Sequence, residues 1–497
     1  MSPTKKGALI GYLTIFVNII SGLLYTPWMI RQIGVSDYGL YTLINSFISY
    51  FLLDFGLGTA VSRYVSKYKE EGCPEKINEV LSVIVKVFAV IDLAIFALLF
   101  VCYFYLSEIF TSLTPEEIEK LKVIYCIAGF FSLLTFPFSY LNGVLIAYEK
   151  FVVLKLCEFT QRVLIVLLVV LSLLNGYGLN TLVLVNSGIG FLIAVYKLFY
   201  LKNSEIIRIK LKYFNLKLLI KLLKFSSWVF IIGVASRLMY NIIPTLLGRY
   251  CNTTEVALFS IAMMIEGYVY SFASSINGLF LPRVMRLTVH GKSADELTRL
   301  MIRVGRIQLI IVGAIISGFI VAGNEFIHLW LGNEFAISYW VTLCLILPGL
   351  VSLIEEIGNT ALVAVNELKY RALLFIAASA ISVVGGYFLT PRMGALGAGI
   401  SVNISLVFCH IIAMNILYKI KLHIDVFAFF RATIICFLPV VLLCIIGVFI
   451  FKFTTDLNGW LGFAALIGVY GILYIVLLWF AYLNNEEKHL IINMLHK

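Results

Sequence analysis

Twenty-four consecutive uncharged residues separate Lys6 from Arg31, and comparable runs recur along the whole chain. About 20 predominantly apolar residues wound as a helix cross the hydrocarbon core of a bilayer, so each run predicts a transmembrane helix. The first is longer than the apolar part of a signal peptide and lacks an A-x-A cleavage pattern, which predicts a retained span. Of the 497 residues, 61% are hydrophobic and 13% charged, against roughly 25% charged in a soluble globular protein. A water-soluble enzyme is excluded.

The charge-poor segments predict spans near residues 7–30, 38–64, 80–105, 123–148, 151–174 and 179–201. A second set follows near 223–249, 255–284, 304–323, 336–365, 371–390 and 394–418, with a final pair near 432–451 and 459–483. The expected fold is an all-α integral membrane protein of about fourteen transmembrane helices. Its expected parts are an N-lobe over 1–202, a basic amphipathic linker over 203–222, a C-lobe over 223–420, and two last helices with a tail over 421–497. An even number of spans puts both termini on one side. With that side cytoplasmic, 28 of the 38 Lys and Arg fall there, six lie opposite (Arg31, Lys120, Lys122, Arg249, Arg392, Lys452) and four lie within spans (Lys86, Arg162, Lys197, Arg237). The positive-inside rule then predicts an N-in, C-in topology. Outer loops are short, the longest running near Leu106 to Lys122.

The net charge of +11 is dispersed between apolar runs, whereas nucleic-acid binding needs a clustered basic patch. Nine cysteines are scattered without a C-x-x-C pair, so neither a metal site nor a disulfide framework is indicated. A weak repeat runs at an offset of 218 residues: Asp37-Tyr-Gly-Leu-Tyr41 falls over Glu255-Val-Ala-Leu-Phe259, Glu149 over Glu367, and Tyr200 over Tyr418. That offset divides the first twelve spans into two pseudo-symmetric six-helix halves, an arrangement that transporters use to build a substrate site between rocking lobes.

The first two spans read Pro27-x-x-x-Arg31-Gln-Ile-Gly34-Val-Ser-Asp37-Tyr-Gly39-Leu-Tyr41, then Asp54-Phe-Gly56-Leu-Gly58 and Arg63. This resembles the N-terminal signature of the O-antigen and capsule-repeat flippases, the polysaccharide-transporter branch of the multidrug/oligosaccharidyl-lipid/polysaccharide exporter superfamily. The resemblance implies a fold similar to the multidrug-and-toxin exporters and a place in the bacterial cytoplasmic (inner) membrane. It implies transport of undecaprenyl-pyrophosphate-linked sugar repeats from the cytoplasmic to the outer leaflet, in lipopolysaccharide or capsule synthesis. Polysaccharide polymerase and chain-length machinery would be its protein partners. Pro27, Gly34 and Gly39 themselves are expected to serve the turn between spans one and two.

Charge inside a bilayer is costly, so each intramembrane charge is expected to be paired or to line water. Arg162 and Arg237 are the leading candidates for an anionic head group, because guanidinium groups replace phosphate hydration with charge-assisted hydrogen bonds. Glu158, four positions before Arg162, is the competing partner in an i, i+4 pair. Arg63 and Arg31, near span ends, are further head-group candidates, with snorkelling to the interface as the simpler use. Asp54, Asp92 and Glu266 are candidates for coupling to a proton or sodium gradient, since a carboxyl in a low-dielectric site exchanges a proton more readily. No bound cofactor is expected. Asn18, Asn45, Asn142, Asn277, Asn359 and Asn403 are candidates for sugar hydroxyls or for bonds between helices.

Rival functions are a multidrug exporter, a lipid II flippase and a membrane enzyme. Multidrug exporters of this superfamily usually have twelve spans, and the lipid II flippases place arginines in the first span, where residues 7–30 hold none. An enzyme would need catalytic groups on a substantial loop, and a nucleotide-driven pump a phosphate-binding loop; the sequence has neither.

Overall fold

The computed structural model describes residues 3–53, 55–204, 213–277, 294–365, 367–434 and 459–483, with positions 280, 284, 287, 441, 447 and 488. Helix is the regular structure of these residues, with no strand among them. In chain order the helices of the first half are α1 (Pro3–Ile33), α2 (Val35–Ser49), α3 (Leu57–Glu70), α4 (Pro74–Ile109), α5 (Pro115–Thr135), α6 (Tyr140–Ala147), α7 (Phe151–Leu174) and α8 (Leu179–Asn203). There follow α9 (Leu216–Tyr240), α10 (Ile242–Tyr250), α11 (Thr253–Asn277), α12 (Ala294–Leu331), α13 (Ala336–Ile354), α14 (Glu356–Ala364), α15 (Leu368–Ser405), α16 (Met414–Leu422) and α17 (Trp460–Leu477).

Eleven helical stretches among the described residues are long and apolar enough to cross a membrane. Local causes separate that number from fourteen. Expected span two is divided into α2 and α3 by an unwound stretch in which Phe55 and Gly56 take φ of 52° and 67°. Expected spans eleven and twelve run together as α15, broken at Gly394 (φ 56°, ψ −138°). Most of expected span thirteen, near 432–451, lies outside the described residues, as do 205–212 of the amphipathic linker and most of the tail.

The 218-residue offset is visible in the helix starts. Val35 opens α2 and Thr253 opens α11 at that spacing, while the pairs α6 and α14, and α7 and α15 begin within about two residues of it, the usual scatter of helix ends.

The described residues pack as two compact units, unit 1 (Met1–Ser260 with Phe375–Ala398) and unit 2 (Ile261–Leu374 with Gly399–Lys497). In unit 1, Leu40, Leu43, Ile44, Leu57, Leu81 and Ile84 are fully buried. On the other side of α4, Val90, Leu93, Phe96 and Phe100 are exposed, an apolar surface that lipid covers where water would not.

One end of unit 1 is tied by polar contacts. Asp37 pairs with Lys120 at 3.0 Å. Glu117 forms a capping box with Thr114 at the start of α5, and its Oε1 also accepts from Ser36 Oγ (2.7 Å) and Thr253 Oγ1 (2.8 Å). Thr111 and Ser112 donate to the carbonyls of Arg249 and Gly248, and the Glu255 carboxylate accepts from the Ala395 amide at 2.7 Å. Gly34 forms the turn expected of it, with φ 87°. Gly39 has another role: it sits inside α2, where a Cβ would strike the Thr253 backbone carbonyl, so it sets how closely α2 approaches the start of α11.

In unit 2, α17 packs on α12 through Leu466, Tyr470 and Tyr474 against Val321 and Ala322. The Tyr470 hydroxyl bonds Ser317 Oγ, and Tyr474 OH donates to the Ile310 carbonyl at 2.7 Å.

Candidate functional site

Two interruptions of helix meet in unit 1, the stretch between α2 and α3 and the break between α9 and α10 at Asn241. An interruption inside a membrane exposes backbone polar groups that must be satisfied, and such breaks commonly build ion and substrate sites. Here they are tied together. Arg237 donates from Nη1 to the Ser49 carbonyl, and Asn241 Nδ2 donates to Ser49 Oγ at 2.8 Å. Tyr50 OH bonds the Asn241 carbonyl and Thr245 Oγ1, and the Phe55 ring stacks on Phe230 at 4.3 Å.

Beside this junction lies a cavity of about 450 Å³ whose polar lining is Thr59, Ser62, Ser139, Asn142 and Arg237. Gly58 and Gly143 also face it, and close contact there between α3 and α6 leaves no room for a Cβ on Gly143. Lys197 reaches across from α8 to donate from Nζ to Asn142 Oδ1 at 3.0 Å. The cavity thus has a guanidinium in its wall, an ammonium on one of its lining amides, and hydroxyls between them. Such a lining suits an anion carried together with hydroxylated groups.

The other candidates are dispersed. Arg162 does not line this cavity; its Nε donates to Ser21 Oγ on α1 at 3.1 Å. The expected Glu158 partner pairs instead with Lys155 at 2.8 Å, so the i, i+4 spacing does not decide the pairing. Arg63 lies over the Phe225 ring at 4.3 Å, joining α3 to α9, a cation–π contact. Arg31 is exposed in the last turn of α1. Asp54 lies outside the described residues. Asp92, on α4, has Oδ1 buried without a hydrogen-bond partner among the described residues. Asn45 bonds its own helix, and Asn403 joins its helix to the Cys344 carbonyl at 2.7 Å.

Glu266 belongs to unit 2, on α11. The stronger acidic feature of that unit is the break between α13 and α14. Glu355 is 1% exposed, accepts from Asn415 Nδ2 at 2.7 Å, and keeps Oε2 without a partner among the described residues. Next to it, Glu356 accepts from Asn359 Nδ2 at 3.0 Å. Burying a carboxyl is costly unless its oxygens are compensated, which makes the unused oxygen of Glu355 a candidate contact for a cation.

Sequence reasoning left out Lys197 as a site residue and gave Glu355 no role. Lys197 had a signal, a lysine inside an expected span with no acid within four positions. For Glu355 the partner, Asn415, is sixty residues away, and no local pattern points to it.

A family profile described as "Polysaccharide biosynthesis protein" matches residues 4–288. No curated protein matches the sequence. Among solved structures, the fold is similar to the lipid II flippase MurJ in an inward closed conformation, with TM-score 0.74 and 16% identity over 94% of this chain and 97% of that one. It is also similar to an inward-facing multidrug resistance MATE family transporter of the MOP superfamily, with TM-score 0.66 and 12% identity over 84% and 98% of the two chains. A mutant of the Vibrio cholerae MATE transporter VcmN gives TM-score 0.57 and 13% identity over 85% and 98%.

Proposed function

The chain belongs to the polysaccharide biosynthesis protein family, and from that premise we propose that it is a flippase for undecaprenyl-pyrophosphate-linked oligosaccharide repeats. It moves them from the cytoplasmic to the outer leaflet of a bacterial inner membrane by alternating access, with both termini cytoplasmic. The observation that carries the proposal is the cavity of unit 1, where Arg237 and the Lys197–Asn142 pair stand among hydroxyls. A glycan diphosphate needs its phosphate charge compensated and its sugar hydroxyls hydrogen-bonded once it leaves water, and this lining supplies both. The polyprenyl chain has no such need and stays in lipid. Arg162, Arg63 and Arg31 are secondary contacts along the path of the head group. No bound cofactor takes part.

A proton or sodium gradient drives the cycle, with Glu355 and Asn415 the first choice for the coupling cation and Asp92, Glu266 and Asp54 behind them. Polymerase and chain-length machinery take the product on the outer side. The similarity to MurJ, over 94% of the chain, supports a second cargo, lipid II, whose head group makes the same chemical demands.

The test is deletion of the gene from its host, followed by assay of surface polysaccharide and of lipid-linked repeats in the cytoplasmic leaflet. The expected result is loss of surface glycan with accumulated intermediates, restored by the wild-type gene and not by a well-expressed Arg237→Ala variant. Arrest of peptidoglycan synthesis instead would assign lipid II as cargo. Normal surface glycan in a host without a redundant transporter would refute the proposal.

A further inference from the structure

Next to the Arg237 cavity, unit 1 holds a second one of about 240 Å³, and the two share Leu52 and Ser139 in their walls. The second is set between α5 and α8, and its polar lining is Ser132, Thr135, Ser139, Asn186 and Ser187. Its lining contains no charged side chain, whereas the first has Arg237 in its wall and Lys197 on its Asn142. We infer that this second cavity is a subsite for a neutral, hydroxyl-bearing sugar, the one attached directly to the diphosphate held in the first. The inference rests on the flippase reading and adds a specificity to it.

The bonding capacity of the lining supports a sugar in particular. The hydroxyls of Thr135 and Ser187 make no hydrogen bond among the described residues, so each can both donate and accept. Asn186 spends its Nδ2 on the Leu182 carbonyl at 3.1 Å, which leaves Oδ1 as an acceptor. Ser139 donates to the Phe136 carbonyl at 2.7 Å and keeps its lone pairs. Every sugar hydroxyl is itself donor and acceptor, and this lining matches it on both counts. The Phe131 ring, also in the wall, offers an apolar face to the C–H side of a pyranose. A uronate in the same place would give up its hydration with no cation among the lining residues to replace it, which is unfavourable in low dielectric. Charge and hydroxyl recognition are therefore separated along one path, with Ser139 at the boundary.

The test measures binding of three lipids to the purified full-length protein: undecaprenyl diphosphate, the same lipid carrying N-acetylglucosamine, and the same lipid carrying glucuronate. The neutral sugar is expected to tighten binding over the bare diphosphate, and glucuronate is expected to add nothing. In a Thr135→Val, Ser187→Ala double variant the gain from N-acetylglucosamine falls roughly tenfold, the loss of two neutral hydrogen bonds, while affinity for undecaprenyl diphosphate is unchanged and shows that the variant is folded. If the sugar adds nothing to the wild type, if the double variant keeps the gain, or if glucuronate is preferred, the subsite is refuted while Arg237-dependent diphosphate binding leaves the proposed function standing. Failure of all three lipids to bind would bring down that function and the subsite with it.

Discussion

Thr253→Val isolates one bond in the polar end of unit 1. The Thr253 hydroxyl donates to Glu117 Oε1 at 2.8 Å and lies 3.0 Å from Ser36 Oγ, and the residue is 2% exposed. Valine keeps the β-branched shape and removes only the hydroxyl. A hydrogen bond to a charged acceptor contributes about 1.5–3 kcal/mol. The lower figure applies because Glu117 keeps its Ser36 contact and its capping box. A loss of about 1.5 kcal/mol raises the equilibrium for lifting the start of α11 away from α2 and α5 about tenfold. Cys251, two residues upstream, reports this opening, since it is half-buried and its Sγ donates to the Thr390 carbonyl at 3.4 Å. With the other cysteines replaced by alanine, a hydrophilic maleimide should label Cys251 about tenfold faster in the Thr253→Val protein, because labelling through a rapidly reversible opening follows the open population. An unchanged rate, in protein shown to be folded, would refute the view that the Glu117 contacts hold this end shut.

Gly39→Ala should be far more severe, because the added methyl meets the Thr253 backbone rather than a movable side chain; the yield of monodisperse protein in size-exclusion chromatography should collapse, and a normal yield would disprove the close approach of the two helices. Tyr474→Phe removes the hydroxyl that bonds the Ile310 carbonyl and should cost about 1 kcal/mol, read as a modest fall in the unfolding midpoint followed with a thiol-reactive dye. A midpoint equal to wild type would mean that this bond adds nothing to the docking of α17.

Much of this protein is decided residue by residue. Lipid admits few charges, so the gaps between Lys6, Arg31 and the later charges mark out helices before any fold is known. The Asp37-Tyr-Gly-Leu-Tyr41 and Glu255-Val-Ala-Leu-Phe259 pair marks a repeat that the helix starts obey. The interruption within expected span two was not legible. It depends on Phe55 finding Phe230 and on Ser49 receiving Arg237 and Asn241, partners far along the chain.

The same division holds for the candidate site. That Arg162, Lys197 and Arg237 are intramembrane cations is a property of the sequence, since each sits within an apolar run and is costly there. Which of them shares a cavity is a property of the packing. Lys197 meets Asn142 because α8 lies within reach of α6, and Arg162 is drawn to Ser21 because α7 packs along α1. Glu158 takes Lys155 in place of Arg162, although both are within a turn of it. Hydropathy determines that a segment enters the membrane, because transfer cost adds up along one helix. It says little about which face meets which neighbour, and the hydrogen bonds that make a site form across those faces.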